Sequence, residues 1–186
     1  MAGHDHDVPR PFRPLRALSD AVDRLAEHAD TWSTPRLLDE GLDLARDTGW
    51  ADAAALVRVR GDLVVPVRRR PTGTVSPVAP VPTHWFPWGL ATVQPDRYLM
   101  VPDARVLQVR PGGRTLGELG WHSALVLPLH DRDGGGGSLL LHWRSPHLTW
   151  DDDRGRLLRT LGRFLLDRTA PDRPITGSTP MVLPAD

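Results

Sequence analysis

The chain contains no cysteine, no lysine and no asparagine, and only one tyrosine and one isoleucine among its 186 residues. Each absence removes some chemistry. Without cysteine there is no thiolate nucleophile, disulfide, zinc–cysteine site or iron–sulfur cluster. Without lysine the chain forms no Schiff base, anchors no pyridoxal phosphate and completes no P-loop. All 23 basic residues are therefore arginine, a bias that resembles the codon usage of a high-GC genome and suits a bacterial source.

Charge of one sign is also lacking. Acidic and basic side chains balance at 23 each, so no global field directs the chain to nucleic acid or to an anionic membrane. No window approaches the ~18 uninterrupted apolar residues of a membrane helix, and the amino terminus lacks the basic-then-apolar order of a signal peptide. The expected location is the cytoplasm, with neither a nucleic-acid nor a membrane partner. The length suits one domain, which buries roughly two-thirds of its unfolded surface in a single core.

Residues 1–13 carry prolines among charges and no apolar period, which predicts a disordered lead-in. His4 and His6 sit on that tail, too mobile for a metal site. Leu15, Leu18, Val22, Leu25 and Ala29 then recur every three or four residues, a helical stripe with heptad character. So narrow a stripe suits one partner surface, either a second copy of the chain or the body of its own domain. A second helix is announced by Ser33 or Thr34 as N-cap, Pro35 at its first position and Gly49 as its stop, with Leu37, Leu38, Leu42 and Ala45 inward.

Residues 51–70 switch to a two-residue rhythm around Gly61-Asp62, a two-residue hairpin turn. Arg60-Gly61-Asp62 spells an adhesion tripeptide, coincidental in a cytosolic chain, and Arg68-Arg69-Arg70 reads as a solvated strand end. Residues 71–97 are rich in proline yet hold Trp85, Phe86 and Trp88, so this stretch is expected to fold back over the domain as a functional loop. A strand at Tyr98–Val101 and a helical turn at Leu116–Leu119 follow.

Residues 123–129 are apolar on both faces, which predicts a strand covered on both sides. Leu139-Leu140-Leu141 forms its partner across the Asp131–Gly137 loop. The glycines lead into a strand, whereas a phosphate loop leads into a helix, so the run reads as a flexible hairpin tip. The last helix starts at a capping box of Thr149 and Asp152 and buries Leu157, Leu158, Leu161, Phe164 and Leu165. Residues 170–186 read as a disordered tail. Antiparallel connections with helices at both ends make the class α+β.

The stretch Gly120-Trp121-His122-Ser123-Ala124-Leu125-Val126-Leu127-Pro128-Leu129 is similar to the bacterial GAF pattern of Gly, apolar, Arg, Ser, small, apolar and Val-Pro-Leu. The glycine loop, Leu139–Trp143, Ser145-Pro146, Thr149-Trp150-Asp151-Asp152-Asp153 and the lead-in Val101-Pro102-Asp103 continue the likeness, which covers residues 15–169. His122 departs from it, standing where the pattern usually has arginine. The resemblance implies one domain over 14–169, with about six antiparallel strands and the N- and C-terminal helices on one sheet face. It also implies a ligand pocket under irregular segments on the other face, and homodimerisation through the terminal helices.

The family's ligands are screened by composition. A bilin thioether and methionine sulfoxide reduction both need cysteine, and the cyclic-nucleotide signature opens with Asn-Lys, which this chain lacks. No Gly-x-Ser-x-Gly elbow is present, and Asp151-Asp152-Asp153 complements a helix start. Asp131 and Asp133 lack EF-hand spacing. Haem is a lesser alternative, with His84, His122, His130, His142 and His147 in or near the pocket layer.

The expectation is a non-enzymatic signalling domain that binds a small molecule or a partner protein. Its ligand-binding candidates are Trp85, Phe86, Trp88, Tyr98, Trp121, His122, Ser123 and His142, with no catalytic residue, no metal and no particular cofactor. The alternative is a ligand-free module for dimerisation or docking.

Overall fold

The computed structural model describes residues 15–72, 80–83, 97–107, 117 and 120–169. Both tails, His84, Trp85, Phe86, Trp88 and most of the Leu116–Leu119 turn lie outside the described residues.

Helices α1 (Leu15–Glu27) and α2 (Thr34–Gly49) come first, then strands β1 (Ala53–Arg60) and β2 (Leu63–Arg70). Two short strands follow, β3 (Val81–Pro82) and β4 (Leu99–Val101), with a 3-10 turn at Ala104–Leu107. Strands β5 (Ser123–His130) and β6 (Gly136–Trp143) and helix α3 (Asp152–Asp167) complete the chain. The strands form one sheet in the order β3-β2-β1-β6-β5-β4, with every neighbouring pair antiparallel. This is the α+β architecture expected.

Strand alternation divides the sheet into two apolar layers. Leu56, Leu125, Leu127, Leu129, Leu139 and Leu141 pack with Leu37, Leu42, Leu158, Leu161 and Leu165 of α2 and α3. The opposite layer is lighter, holding Ala53, Ala55, Val57, Ala124, Val126 and Leu140 with Val101, Ala104 and Trp121. Leucine predominates toward the helices, and alanine and valine predominate on the other face. The alternation therefore sets the thickness of each layer as well as its polarity.

Most of the α1 stripe packs within the domain: Leu18, Leu25 and Ala29 are buried and Val22 is partly buried against the helix-side core, while Leu15 at its start is exposed. At the end of α2 the left-handed residue is Trp50, at φ 50°, one position beyond the expected stop. Gly49 is required for a different reason, because a Cβ there would meet Leu141 Cδ1.

Two expectations at the carboxyl-terminal half are corrected. The cap of α3 is Asp151, whose Oδ1 accepts from the N–H groups of Asp153 at 2.9 Å and Arg154 at 3.4 Å. The capping box at Thr149 is displaced by two residues because a carboxylate stands at the helix entrance. The glycine run is also no flexible tip. Gly136 and Gly137 belong to β6, Gly134 takes a positive φ of 81°, and a Cβ on Gly137 would stand 2.6 Å from Val57 O and 2.8 Å from Leu166 Cδ1.

The strand end at Arg68-Arg69-Arg70 is not simply solvated. Arg68 donates to both carboxylate oxygens of Asp39 at 2.7 and 2.5 Å, and Arg70 donates twice to Asp43 Oδ2 at 2.9 and 2.7 Å. Planar guanidinium forks thus fasten β2 to α2. The hydrogen bond from Arg68 is the main cause holding the Asp39 carboxyl below its ordinary value.

Candidate functional site

The lighter sheet face is the one the helices leave uncovered, and β6 is its spine. Across β6, His142 stands level with Ala53 of β1 and Ala124 of β5. Leu140 is level with Ala55 and Val126, and Ser138 with Val57 and Pro128. His142 thus stands between two alanines on this face. Trp121, just before β5, leans on it with centroids 5.5 Å apart and planes at 39°. The guanidinium of Arg144 lies 5.6 Å from the Trp121 ring centre.

Burial sets the chemistry here. His142 has no exposed surface, and burial alone pushes its pKa down to about 3. The ring is neutral at physiological pH. Ser138 is equally buried, and its Oγ meets no hydrogen-bond partner in the protein, nor does the Nε1 of Trp121. This floor combines small apolar side chains, two aromatic rings and two unpartnered polar atoms.

The other sequence candidates divide. Ser123 is buried but engaged: its Oγ lies 2.6 Å from Pro102 O and 3.0 Å from Ser145 O, and it accepts from the His147 N–H at 2.7 Å. It clips three chain segments together below the floor. His122 is half-buried and extends the pairing through its backbone, donating to Trp143 O at 2.9 Å and accepting from Ala104 N–H at 2.5 Å. Tyr98 falls on the helix side, where its hydroxyl donates to Asp152 Oδ1 at 3.0 Å. The structure brings Trp121 and His142 together and takes Tyr98 away from them.

Of the remaining histidines, His130 is exposed at the end of β5, and His147 stacks on Trp143 at 4.4 Å with planes 4° apart. Neither shares the floor with His142. Among the described residues no group of three or more His, Asp or Glu side chains is placed to hold a metal ion. No helix among them is long and apolar enough to cross a membrane.

Sequence reasoning missed Ser138, Ala53 and Ala124, although alternation along β6 was enough to place Ser138 beside His142. It also missed three arginines, each of which reaches a backbone carbonyl at or just beyond a helix end. Arg168 approaches Ala29 O beyond α1 at 3.4 Å, Arg154 donates to Thr48 O of α2 at 2.8 Å, and Arg58 donates to Leu166 O of α3 at 2.7 Å. Each cation meets the negative end of a helix dipole. No periodicity announces such a partner, because each arginine lies far away in sequence.

Among the described residues, two clefts open on the helix side. One of about 320 Å³ lies between α1 and α2, against Leu25, Trp32 and Leu44. The other, about 350 Å³, lies at the end of α3 beside Asp131, Phe164 and Asp167. In the first, Trp32 stacks on His28 at 4.6 Å and Arg36 lies over its ring at 4.4 Å, so its aromatic surface is already covered by the chain itself.

No protein-family model matches the chain, and no curated protein matches it in sequence. Solved structures do. The GAF domain of a phosphoenolpyruvate-protein phosphotransferase from Coxiella burnetii is similar with a TM-score of 0.64 at 15% identity, over 82% of this chain and 92% of that one. The corresponding Acinetobacter domain gives a TM-score of 0.63 at 14% identity, over 84% and 93%. The phycoerythrobilin-bound GAF domain of a cyanobacterial phytochrome gives 0.64 at 12% identity, over 85% and 97%. At these identities the likeness concerns the fold, and it agrees with the six-stranded order and the two-layer core described above: the chain has the GAF-domain fold.

Proposed function

We propose that this chain is a non-enzymatic sensory domain that takes a small molecule on the lighter sheet face and passes its state to the terminal helices. The observation that carries the reading is the floor itself. Buried polar atoms without partners, flanked by alanines and two rings, suit a bound ligand better than a closed core, which satisfies its polar groups internally. One of the similar domains holds phycoerythrobilin, so ligand binding is within the reach of the fold.

The route to the helices runs through β6. Ser138 and His142 face the floor, while Gly137 on the opposite face lets the strand approach Leu166 of α3. The end of α3 is tied to the segment beyond α1 by Arg168, which reaches Ala29 O and Asp30. A ligand that shifts β6 presses on the same helix turn. Native mass spectrometry of the chain purified from its own cells tests the reading. A small-molecule adduct supports sensing, whereas a bare dimer supports the alternative of a ligand-free assembly module.

A further inference from the structure

Trp121 is only 2% exposed, yet its Nε1 has no hydrogen-bond partner in the protein. A buried donor without an acceptor carries its desolvation cost, so it marks where an outside group completes the bonding. The Arg144 guanidinium lies 5.6 Å from the centre of the same ring, a placement that the ring's negative face favours. Arg144 is exposed, and its backbone N–H donates to Asp52 Oδ2 at 2.7 Å. Among the described residues no carboxylate forms an ion pair with its guanidinium. Arg69 is on the same face, level with Ala55 on the far side of β1 and already in contact with a neighbour, so it stands outside this pair.

One buried N–H and one cation thus meet at the rim of the lighter layer. Beside them the layer is apolar and low, with Ala53 and Ala124 flanking His142 and Leu140 next along β6. The two parts suit two halves of one molecule. An apolar body covers the alanines and Leu140, while a negative charge stays at the rim beside the exposed arginine and escapes full desolvation. A guanidinium fork and an indole N–H match the two oxygens of a carboxylate, and one cation balances its single charge.

We infer that this end of the face binds the carboxylate of a small acid with an apolar body, Arg144 supplying the cation and Trp121 Nε1 the second donor. The inference rests on the ligand-binding reading above and adds the chemical class and the residues that select it.

Naphthoate and its primary amide test it on the full chain at neutral pH, because the two are alike in size and shape and differ in charge. Calorimetric titration is expected to show naphthoate binding about 3–10-fold more tightly, the worth of a charge-assisted contact to an exposed arginine. Arg144→Gln, a surface substitution, is expected to remove this preference by weakening naphthoate, with the amide changed less than about twofold. Trp121→Phe keeps a ring and loses the N–H, and is expected to weaken both probes about 3–10-fold, since the amide oxygen also accepts. Arg144→Gln decides alone if Trp121→Phe fails to fold. The amide binding as tightly as naphthoate, a preference that survives Arg144→Gln, or naphthoate affinity unchanged in a folded Trp121→Phe overturns the inference. Failure of both probes to bind also overturns it, and the ligand-binding reading then stands only if another small molecule raises the unfolding midpoint of the chain.

Discussion

Arg58 Nη1 donates to Asp131 Oδ2 at 2.8 Å, joining β1 to the β5–β6 turn with both side chains less than a tenth exposed. The same guanidinium donates to Thr169 Oγ1 at 3.0 Å and to Leu166 O at 2.7 Å. Asp131 in turn accepts from Gly135 N–H at 2.6 Å and Asp133 N–H at 3.1 Å. Burial pushes the Asp131 carboxyl up, but Arg58 and these N–H groups outweigh it and hold the pKa below its ordinary value. One buried arginine thus fixes a strand, a hairpin turn and the last turn of α3.

Arg58→Leu is expected to destabilise the chain by about 3–5 kcal/mol, because it strands a buried carboxylate and releases the Leu166 carbonyl. Urea denaturation measures it. The double variant Arg58→Leu/Asp131→Leu costs less than the sum of the two singles, since each single leaves the other charge uncompensated. Additive costs would show that the pair is not coupled.

The His142 ring gives a pH dependence whose sign follows from its depressed pKa. Above about pH 6.5 it is neutral folded and unfolded; below that the unfolded chain takes up a proton that the folded chain refuses until about pH 3. Stability therefore falls as pH drops through this window, by ~2 kcal/mol between pH 7 and pH 5 from this residue. Burial also lowers the pKa of His147, which adds to the slope in the same direction. Urea midpoints at several pH values read the effect, and His142→Leu should flatten most of it. A wild-type midpoint that is level from pH 7 to pH 5 would contradict the neutral buried ring.

The glycine run yields a contrast between adjacent residues. Gly137→Ala drives a methyl toward the Val57 carbonyl and Leu166, at a cost of about 1–3 kcal/mol. Gly136→Ala places its methyl 3.6 Å from Val59 Cβ, an ordinary contact, and is expected to stay within about 0.5 kcal/mol. Thermal unfolding of the two variants separates a packing requirement from mere flexibility, which predicts equal effects.

At the start of α3, Asp151→Ala removes the observed cap and is expected to cost about 1 kcal/mol. Thr149→Ala should be close to neutral in the same assay. The reverse order would restore the capping box read from the sequence.

The order of helices and strands was legible because apolar periodicity is local: the stripe on α1, the alternation of β1 and β2 and the covered β5 are each written within a dozen residues. Capping was less legible, since Asp151, Asp152 and Thr149 are all competent caps and geometry chooses among them. Half of the floor was visible as Trp121 and His142, which stand out by residue type. Ser138 was hidden by its ordinary identity, and Tyr98, read together with the ring cluster, lies apart from Trp121 and His142 because the face of a short strand depends on register. Arg58, Arg154 and Arg168 were illegible for a physical reason, as a long arginine side chain reaches a helix end that no local pattern specifies.

The central claim is that the lighter sheet face takes a small molecule, and the unfolding midpoint of the full chain across a panel of small-molecule metabolites tests it most directly. A ligand present at about a hundred times its Kd is expected to raise the midpoint by about 5–10 °C, selectively and independently of protein concentration. A flat profile across the panel, with a midpoint that rises instead with protein concentration, would contradict the sensory reading and point to assembly.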